Sequence, residues 1–341
     1  MILTTGGMGY IGSHTVVELQ NAGFEVVIVD DLSNSEKEVA ERIEQISGKK
    51  VIFEEFDLKN REKTFALFEK YPGINAIIHF AASKAVGESV EKPLLYYENN
   101  VGTLINLLLA CDKYKINNFV FSSSCTVYGQ PDILPVTENT PRREAESPYG
   151  NTKKISEDIL RDFSKASEQF KSIALRYFNP IGAHPSGLIG ELPRGIPNNL
   201  VPFVTQTAYG LRKELSIFGD TYNTPDGTCI RDFINVVDLA KAHVVAIQRL
   251  IENRNKSNYE FFNIGTGKGT SVLEVVKTFE KSTGVKVNYK IVDKRPGDIE
   301  KIWAETSLAN HELGWKAEKG LDETLASAWN WETKYRNKLK I

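Results

Sequence analysis

The chain has 341 residues, of which 41% are hydrophobic and 25% charged, and its formal net charge is −2 at pH 7. This composition is typical of an ordinary globular enzyme with ample core. The small net charge argues against a nucleic-acid partner or a polybasic membrane partner, and no apolar run approaches the roughly 18 residues needed to span a bilayer.

The first residues, the cysteines and the histidines bear on where the protein is located and on whether it binds a metal. The apolar start, Met1-Ile2-Leu3, lacks the charged region and cleavage site of a signal peptide, so we interpret it as a first strand. Three widely spaced cysteines fit a reducing cytoplasm better than a disulfide framework. The five histidines show no metal-binding spacing, and we expect no metal.

Short apolar runs alternate with amphipathic stretches through the first half of the chain. The predicted strands are 1–5, 25–29, 51–54, 76–80, 119–122 and 172–176. The predicted helices are 11–21, 36–46, 61–70, 96–115 and 149–166. Ser35 and Glu38 have the capping-box spacing that would start the second helix. Buried strands that are each followed by a helix predict a parallel, doubly wound sheet.

The pattern changes after residue 178. Residues 179–202 are rich in Gly, Pro, Asn and His and show no clear period, which indicates a long functional loop. Beyond it, the predicted strands are 214–218, 259–264 and 286–291, and the predicted helices are 237–251, 271–283 and 321–335.

A glycine-rich turn joins the first strand to the first helix. Gly6, Gly9 and Gly12 have the spacing of a dinucleotide-binding turn, in which backbone and a helix N-terminus approach a pyrophosphate. Alone, such glycines fit a tight structural turn equally well. Asp30 ends the second strand, where an acid binds ribose hydroxyls. Because Asp31 follows it and no arginine does, the sequence favours NAD over NADP.

Tyr149 and Lys153 lie four residues apart and therefore on one face of a helix. The ammonium would lower the pKa of the phenol and make it a usable general base. Ser124 follows the fifth strand, at the sheet edge where ligands of such folds bind. We expect Ser122 and Ser123 only to cap that strand. Together with the glycine turn, these residues predict hydride transfer at a hydroxyl-bearing carbon, whereas the pair alone is also common on helix surfaces.

These features predict an α/β fold with a doubly wound parallel Rossmann-type sheet and a smaller mixed α/β substrate-binding domain. We place the NAD-binding domain at residues 1–178 and the substrate domain mainly at 179–341. Residues 231–264 are expected to rejoin the main sheet.

Motifs from Thr5 to beyond Trp303 resemble a known superfamily. The segments TGG-x-GYIGSH, HFA, SSS-x-TVYG and SPYG-x-TK resemble the extended short-chain dehydrogenase/reductases. More specific segments narrow the resemblance to the UDP-glucose 4-epimerase family: KAVGES, RYFNP, GAHPSG and IPNNL. Two departures are mild, namely Met8 in the glycine turn and Cys125 after the strand-end serine.

The resemblance implies roles for individual residues. Tyr149 matches the catalytic base, Lys153 its partner and Ser124 the substrate-binding serine. Besides the three glycines and the Tyr149–Lys153 pair, the implied NAD contacts are Tyr10, Ile11, Asp30, Asn34, Ser35, Asp57, Leu58, Phe80, Ala81, Lys84, Asn99 and Phe178. The implied UDP-sugar contacts are Ser124, Tyr149, Asn179, Asn198, Asn199, Leu200, Ser216, Phe218, Arg231, Arg295, Asp298 and, as a gate beside the sugar's C2 substituent, Ile302.

The resemblance also implies the reaction, which interconverts UDP-glucose and UDP-galactose through a 4-keto sugar with tightly bound NAD as hydride carrier. It further implies a homodimer formed by helices 96–115 and 149–166, although their apolar positions also fit packing on the sheet. Three alternatives are weaker. A nucleotide-sugar 4,6-dehydratase would need an acid pair after the fifth strand, a simple dehydrogenase would lack the RYFNP and IPNNL segments, and a non-catalytic NAD sensor would have lost Tyr149 or Lys153.

Overall fold

The computed structural model describes residues 1–295 and 298–339. Its strands, in chain order, are β1 (Ile2–Thr5), β2 (Val26–Asp30), β3 (Ile52–Glu55), β4 (Ala76–His79), β5 (Asn118–Ser124), β6 (Lys171–Tyr177), β7 (Asn179–Ile181), β8 (Leu215–Phe218), β9 (Ile230–Arg231), β10 (Phe233–Asn235), β11 (Tyr259–Ile264), β12 (Thr270–Ser271), β13 (Tyr289–Val292) and β14 (Lys301–Ile302).

Seven strands form one sheet in the order β11-β6-β5-β4-β1-β2-β3. All of their pairings are parallel, so the predicted sheet is confirmed. Because the carboxyl ends of parallel strands share one edge, the residues that follow β1, β2, β4 and β5 converge there.

The α-helices, in chain order, are α1 (Tyr10–Asn21), α2 (Glu38–Ser47), α3 (Arg61–Lys70), α4 (Val86–Glu91), α5 (Pro93–Tyr96), α6 (Gly102–Tyr114), α7 (Pro148–Ala166), α8 (Leu200–Ala208), α9 (Val236–Ile251), α10 (Val272–Thr283) and α11 (Leu321–Lys338). The single helix predicted for 96–115 is wrong in detail, since a π-helical turn at Tyr97–Val101 separates α5 from α6. In this wider turn Asn100 donates to the Ser83 carbonyl and to Thr152 on α7, contacts that fix the turn.

Adjacent residues of a strand point to opposite faces of the sheet. In the main sheet, both faces are buried by helices. In β1, Ile2 belongs to the core cluster that includes Val16 of α1 and Leu239 of α9. Its neighbour Leu3 belongs to the other cluster, with Leu104 of α6 and others from α3 and α7. Fully burying a side chain of this size contributes roughly 1.5–3 kcal/mol. Helices on both faces therefore complete the doubly wound fold.

The second half of the chain builds a smaller core from short sheets and helices. Strands β7 and β10 pair, β13 pairs with β8, and β9 lies between β12 and β14. Val204 of α8, Ile217 of β8 and Leu325 of α11 share a cluster. Helix α9 and strand β11 instead join the main sheet and its core, within the stretch for which a return was expected. The division at residue 178 stays a prediction.

Two local predictions are wrong. Ser35 does not cap α2: the helix begins at Glu38 without a side-chain cap, and the Ser35 hydroxyl donates to Asp30 instead. A carboxylate forms stronger hydrogen bonds than a neutral backbone partner. Residues 179–202 are not all loop, since they contain β7 and the start of α8.

No helix in the described part of the chain is long and apolar enough to cross a membrane.

Candidate active site

The glycine turn after β1 has no room for side chains at two positions. Gly6 has a φ of +67°, and a Cβ there would lie 2.7 Å from the Ala81 nitrogen. A Cβ on Gly12 would lie 2.2 Å from the Gly6 carbonyl oxygen. Gly9 precedes α1 and provides no side-chain cap, so the N-terminus of the helix keeps the character of an anion-binding site.

Asp30 lies at the end of β2 and directly contacts the glycine turn. Its Oδ2 accepts from the Met8 N–H at 3.1 Å, and its Oδ1 accepts from the Leu32 N–H at 2.9 Å and the Ser35 hydroxyl at 2.8 Å. Burial raises the pKa of this carboxyl group, and the three hydrogen bonds oppose that effect. A carboxylate offers about four lone-pair sites, so capacity remains for a ribose hydroxyl.

Other predicted NAD contacts lie along the same edge of the sheet. The Tyr10 hydroxyl donates to the Gly182 carbonyl at 2.7 Å and so links the turn to the second half. Asn99 donates to Ser83 at 3.0 Å. Further members are the half-buried Ile11 on α1, Asn34 after β2, Asp57 and Leu58 after β3, Phe80 and Ala81 after β4, Lys84 before α4, and Phe178 after β6.

Tyr149 and Lys153 occupy the first turns of α7. Ser147 caps this helix by accepting from the Gly150 N–H at 3.2 Å. The buried Lys153 ammonium donates to the Ser122 carbonyl at 2.7 Å and lies 5.9 Å from the centre of the Tyr149 ring. Ser124 ends β5 and accepts from the Thr126 N–H at 3.3 Å. The structure therefore brings the predicted catalytic residues to one place.

The pKa values of the pair differ from the expectation. Burial raises the pKa of Tyr149 far above its ordinary value, as do its neighbours Tyr177 and Cys125, while a hydrogen bond from Ser124 lowers it. Burial lowers the pKa of Lys153 to about 7. In the protein by itself, burial therefore outweighs the lowering expected from Lys153, because burial disfavours the charged form of both groups.

The sequence interpretation missed a buried polar network beneath these residues. The Ser122 hydroxyl lies 2.5 Å from the Tyr177 hydroxyl, and Ser123 donates to Glu157 at 2.6 Å. Glu157 also accepts twice from Arg176, at 2.9 and 2.6 Å. Both serines do more than cap β5, contrary to the expectation. The available signal was the spacing of Glu157, one helical turn beyond Lys153 and on the same face.

The predicted UDP-sugar contacts fall into separate groups. The Arg295 guanidinium pairs with the Asp298 carboxylate at 2.7 Å and lies 5.2 Å from the centre of the Phe218 ring. Phe218 is on β8, the strand that also carries Ser216. Ile302 is 2% exposed and pairs with Arg231 between β14 and β9. The remaining members lie elsewhere in the second half: Asn179 at the start of β7, and Asn198, Asn199 and Leu200 at the start of α8.

Arg231 lies near Cys125, the residue that follows the strand-end serine. Burial raises the pKa of the adjacent Cys125 thiol to about 12, and the positive charge of Arg231 opposes that shift. Ile302 shares a small core cluster with Tyr128 and Phe178, against which Cys125 packs. Within the described residues, no cluster of three or more His, Cys, Asp or Glu side chains could hold a metal ion.

Comparison with known proteins gives matches over nearly the full length. The UDP-glucose 4-epimerase of Bacillus subtilis is 50% identical over 339 residues, 99% of this chain and 98% of that protein. The UDP-glucose-4-epimerase from Stenotrophomonas maltophila, crystallised with NAD and formylated UDP-arabinopyranose, is 46% identical over 99% of both chains, with a TM-score of 0.95. That from Bifidobacterium longum, in complex with NAD+ and UDP, is 47% identical over 98% of this chain and 99% of that one, with a TM-score of 0.93.

A broader family model also matches the chain. This model is described as GDP-mannose 4,6 dehydratase and matches residues 3–328. The chain therefore belongs to the broad family that this model represents. The acid pair expected of a dehydratase after β5 is replaced here by Cys125 and Thr126. Given 50% identity across almost the whole of both chains, together with this site, the chain belongs to the UDP-glucose 4-epimerase family.

Proposed function

We propose that this enzyme interconverts UDP-galactose and UDP-glucose at C4, with NAD bound throughout. The observation that carries the proposal is the convergence of Tyr149, Lys153 and Ser124 with the glycine turn at one sheet edge. The family membership supports the reaction class.

The residues around the glycine turn fit NAD. Side chains are excluded at Gly6 and Gly12, which lets backbone approach a pyrophosphate. Asp30, whose carboxylate already accepts from the glycine turn, would also accept from ribose hydroxyls. When bound, NAD supplies the acceptor for the C4 hydride, and its oxidised nicotinamide carries a positive charge.

Tyr149 is proposed to take the C4 hydroxyl proton and to return it after the 4-keto sugar has turned about its link to UDP. Burial of the phenol opposes this role, so positive charge beside it is required. Lys153 and the oxidised cofactor both favour the phenolate. Ser124, which lowers the pKa of Tyr149 by hydrogen bonding, would hold the same sugar oxygen.

The second half of the chain is proposed to hold UDP while the sugar turns. Arg231 and Arg295 would supply cationic donors to the pyrophosphate. The exposed Phe218 ring would provide a surface for the uracil base. Such remote binding energy keeps the intermediate in place. Residues 1–178, joined by 231–264, would thus serve NAD and the rest mainly UDP-sugar. This division is tested by limited proteolysis in the presence of UDP alone, which should protect the second half of the chain.

The experiment that tests the function uses the purified protein without added cofactor. We expect it to carry NAD and to equilibrate UDP-galactose with UDP-glucose. A dehydrogenase would instead accumulate reduced cofactor with substrate, and a 4,6-dehydratase would release water and form a deoxy keto sugar. Either product pattern would contradict the proposal.

The cofactor prediction depends on Asp30. Protein stripped of nucleotide should regain activity with NAD and very little with NADP, since the carboxylate would repel a 2′-phosphate at the ribose. Activity is measured after reconstitution with each nucleotide at equal concentration. The Asp30→Asn variant, which removes the charge but keeps the shape, should reduce the difference; equal reactivation of the parent by both nucleotides would show this role to be wrong.

The sugar preference is predicted from Ile302. We expect UDP-galactose and UDP-glucose as main substrates, with slower but measurable turnover of UDP-N-acetylglucosamine, because steric discrimination of this kind is worth roughly 1–3 kcal/mol. Ile302→Tyr should weaken the N-acetyl activity and Ile302→Ala should strengthen it. The measurement is kcat/KM for both sugar pairs, with Ile299→Ala, which packs against the same cluster, as control. If neither Ile302 variant changes the ratio, Ile302 is not the gate.

We also propose a cytoplasmic homodimer. Ile105 and Leu109 lie four residues apart on α6 and are 40% and 42% exposed, and Leu94 on α5 is 80% exposed. These side chains suit the helical interface that the family resemblance implies. Light scattering should give twice the mass of one chain and a lower mass for Leu109→Glu, and cell fractionation tests the location.

A further inference from the structure

A segment outside the recognised motifs, residues 191–194, crosses from the second half of the chain to the glycine turn. We call it the strap. Glu191 lies 3.4 Å from the ammonium of Lys84. Burial raises the pKa of the Tyr10 phenol, and the nearby Glu191 carboxylate raises it further. One end of the strap therefore pairs with Lys84 and lies near Tyr10, two residues predicted to contact the cofactor.

The other end of the strap holds the turn that follows Asp30. The Arg194 guanidinium donates to the carbonyls of Ser33 at 2.8 Å, Leu32 at 3.0 Å and Ser35 at 2.5 Å. Asp30 accepts from the N–H of Leu32 and the hydroxyl of Ser35 in the same turn. Arg194 and Asp30 thus both form hydrogen bonds to one turn, residues 32–35, although about 160 residues separate them in the chain.

The strap is held in place by contacts with the second half of the chain. The Trp331 indole donates to the Glu191 carbonyl at 3.1 Å, and Asn199 donates to the Glu191 carboxylate at 2.6 Å. A Cβ on Gly190 would lie 2.4 Å from the Trp331 ring, so glycine is needed for this close approach. Since Trp331 belongs to α11, the strap is anchored to the second half of the chain.

We propose that the strap retains the dinucleotide, with Arg194 as the residue that must release residues 32–35 before NAD can leave. The inference rests on the proposed function, because it assumes that NAD occupies the groove between Asp30 and Lys84. Arg194 contacts neutral carbonyls and not the Asp30 carboxylate, so it acts by positioning the turn. An enzyme with no net redox change needs its cofactor to stay bound through successive turnovers, and the strap would provide this.

The test compares NAD release from three holoenzymes: the parent, Arg194→Gln and Arg254→Gln. Arg254 is the matched control, an exposed arginine paired with Glu252. Bound NAD is measured at intervals after rapid desalting, together with the activity that survives in nucleotide-free buffer. Loss of several charge-assisted hydrogen bonds should speed release about 10-fold or more in Arg194→Gln, while Arg254→Gln should match the parent.

The melting temperature of the nucleotide-free proteins separates retention from general loosening. Faster release with an unchanged melting temperature supports the strap. Release at the parent's rate overturns it, as does faster release that accompanies a lowered melting temperature. If the parent neither carries NAD nor epimerises, the proposed function fails as well; if it does both and the rates are equal, only the strap is wrong.

Discussion

Replacement of Tyr149 by phenylalanine should lower the epimerisation rate by about 10²–10⁴-fold, the usual cost of losing a general base. The change removes one hydroxyl from a half-buried residue at the start of α7 and leaves the ring in place. Asp30 and the glycine turn are untouched, so bound NAD should be retained. Turnover of UDP-galactose and the amount of NAD per protein are the two measurements.

Tyr114→Phe is the matched control for this experiment. It removes a hydroxyl that donates to Glu69 on the surface, far in sequence from α7, and should leave turnover unchanged. Turnover of Tyr149→Phe within a few fold of the parent's would show that another group moves the C4 proton. Loss of NAD together with activity would mean that Tyr149 mainly holds the cofactor.

Replacement of Lys153 by methionine should give the second large effect, with a distinct pH signature. An opposite charge nearby typically shifts a pKa by roughly 1–3 units, so without the ammonium the phenolate fraction below its pKa should fall roughly 10- to 1000-fold. The pKa of Lys153 is about 7 in the protein by itself because of burial. It should rise when Tyr149 ionises, since the two groups titrate together.

The sign of the pH effect follows from the role of the base. Activity rises with pH as Tyr149 loses its proton, and loss of a neighbouring positive charge raises the pKa of that phenol. The acid limb of the kcat profile should therefore move to higher pH in Lys153→Met. Lys154→Met, which removes an ammonium that donates to the Arg143 carbonyl, should keep the parent's profile. An unmoved profile in the residual activity of Lys153→Met would contradict the pairing.

The sequence alone predicted the sheet, which the structure confirms, and it singled out the candidate site residues that the structure brings together at the sheet edge. Runs buried on both faces, such as Val26–Asp30, differ from amphipathic helices in period, and parallel pairing follows from the helices between them. Gly6, Gly12 and Asp30 were identifiable because a tight turn, close backbone approach and a strand-end acid each demand a particular residue type. Tyr149 and Lys153 were identifiable because helical spacing places them on one face.

The tertiary structure decided the features that depend on contacts between distant segments. Ser35 has the spacing of a helix cap, yet it binds Asp30 because folding brings a carboxylate within reach. Burial, which no local pattern measures, raises the pKa of Tyr149 against the expected effect of Lys153. Arg194 has the sequence context of a surface loop, and its contact with residues 32–35 exists only once the second half packs over the glycine turn. Local residue pattern thus determined most of the elements, whereas desolvation and long-range hydrogen bonds are properties of the packed chain.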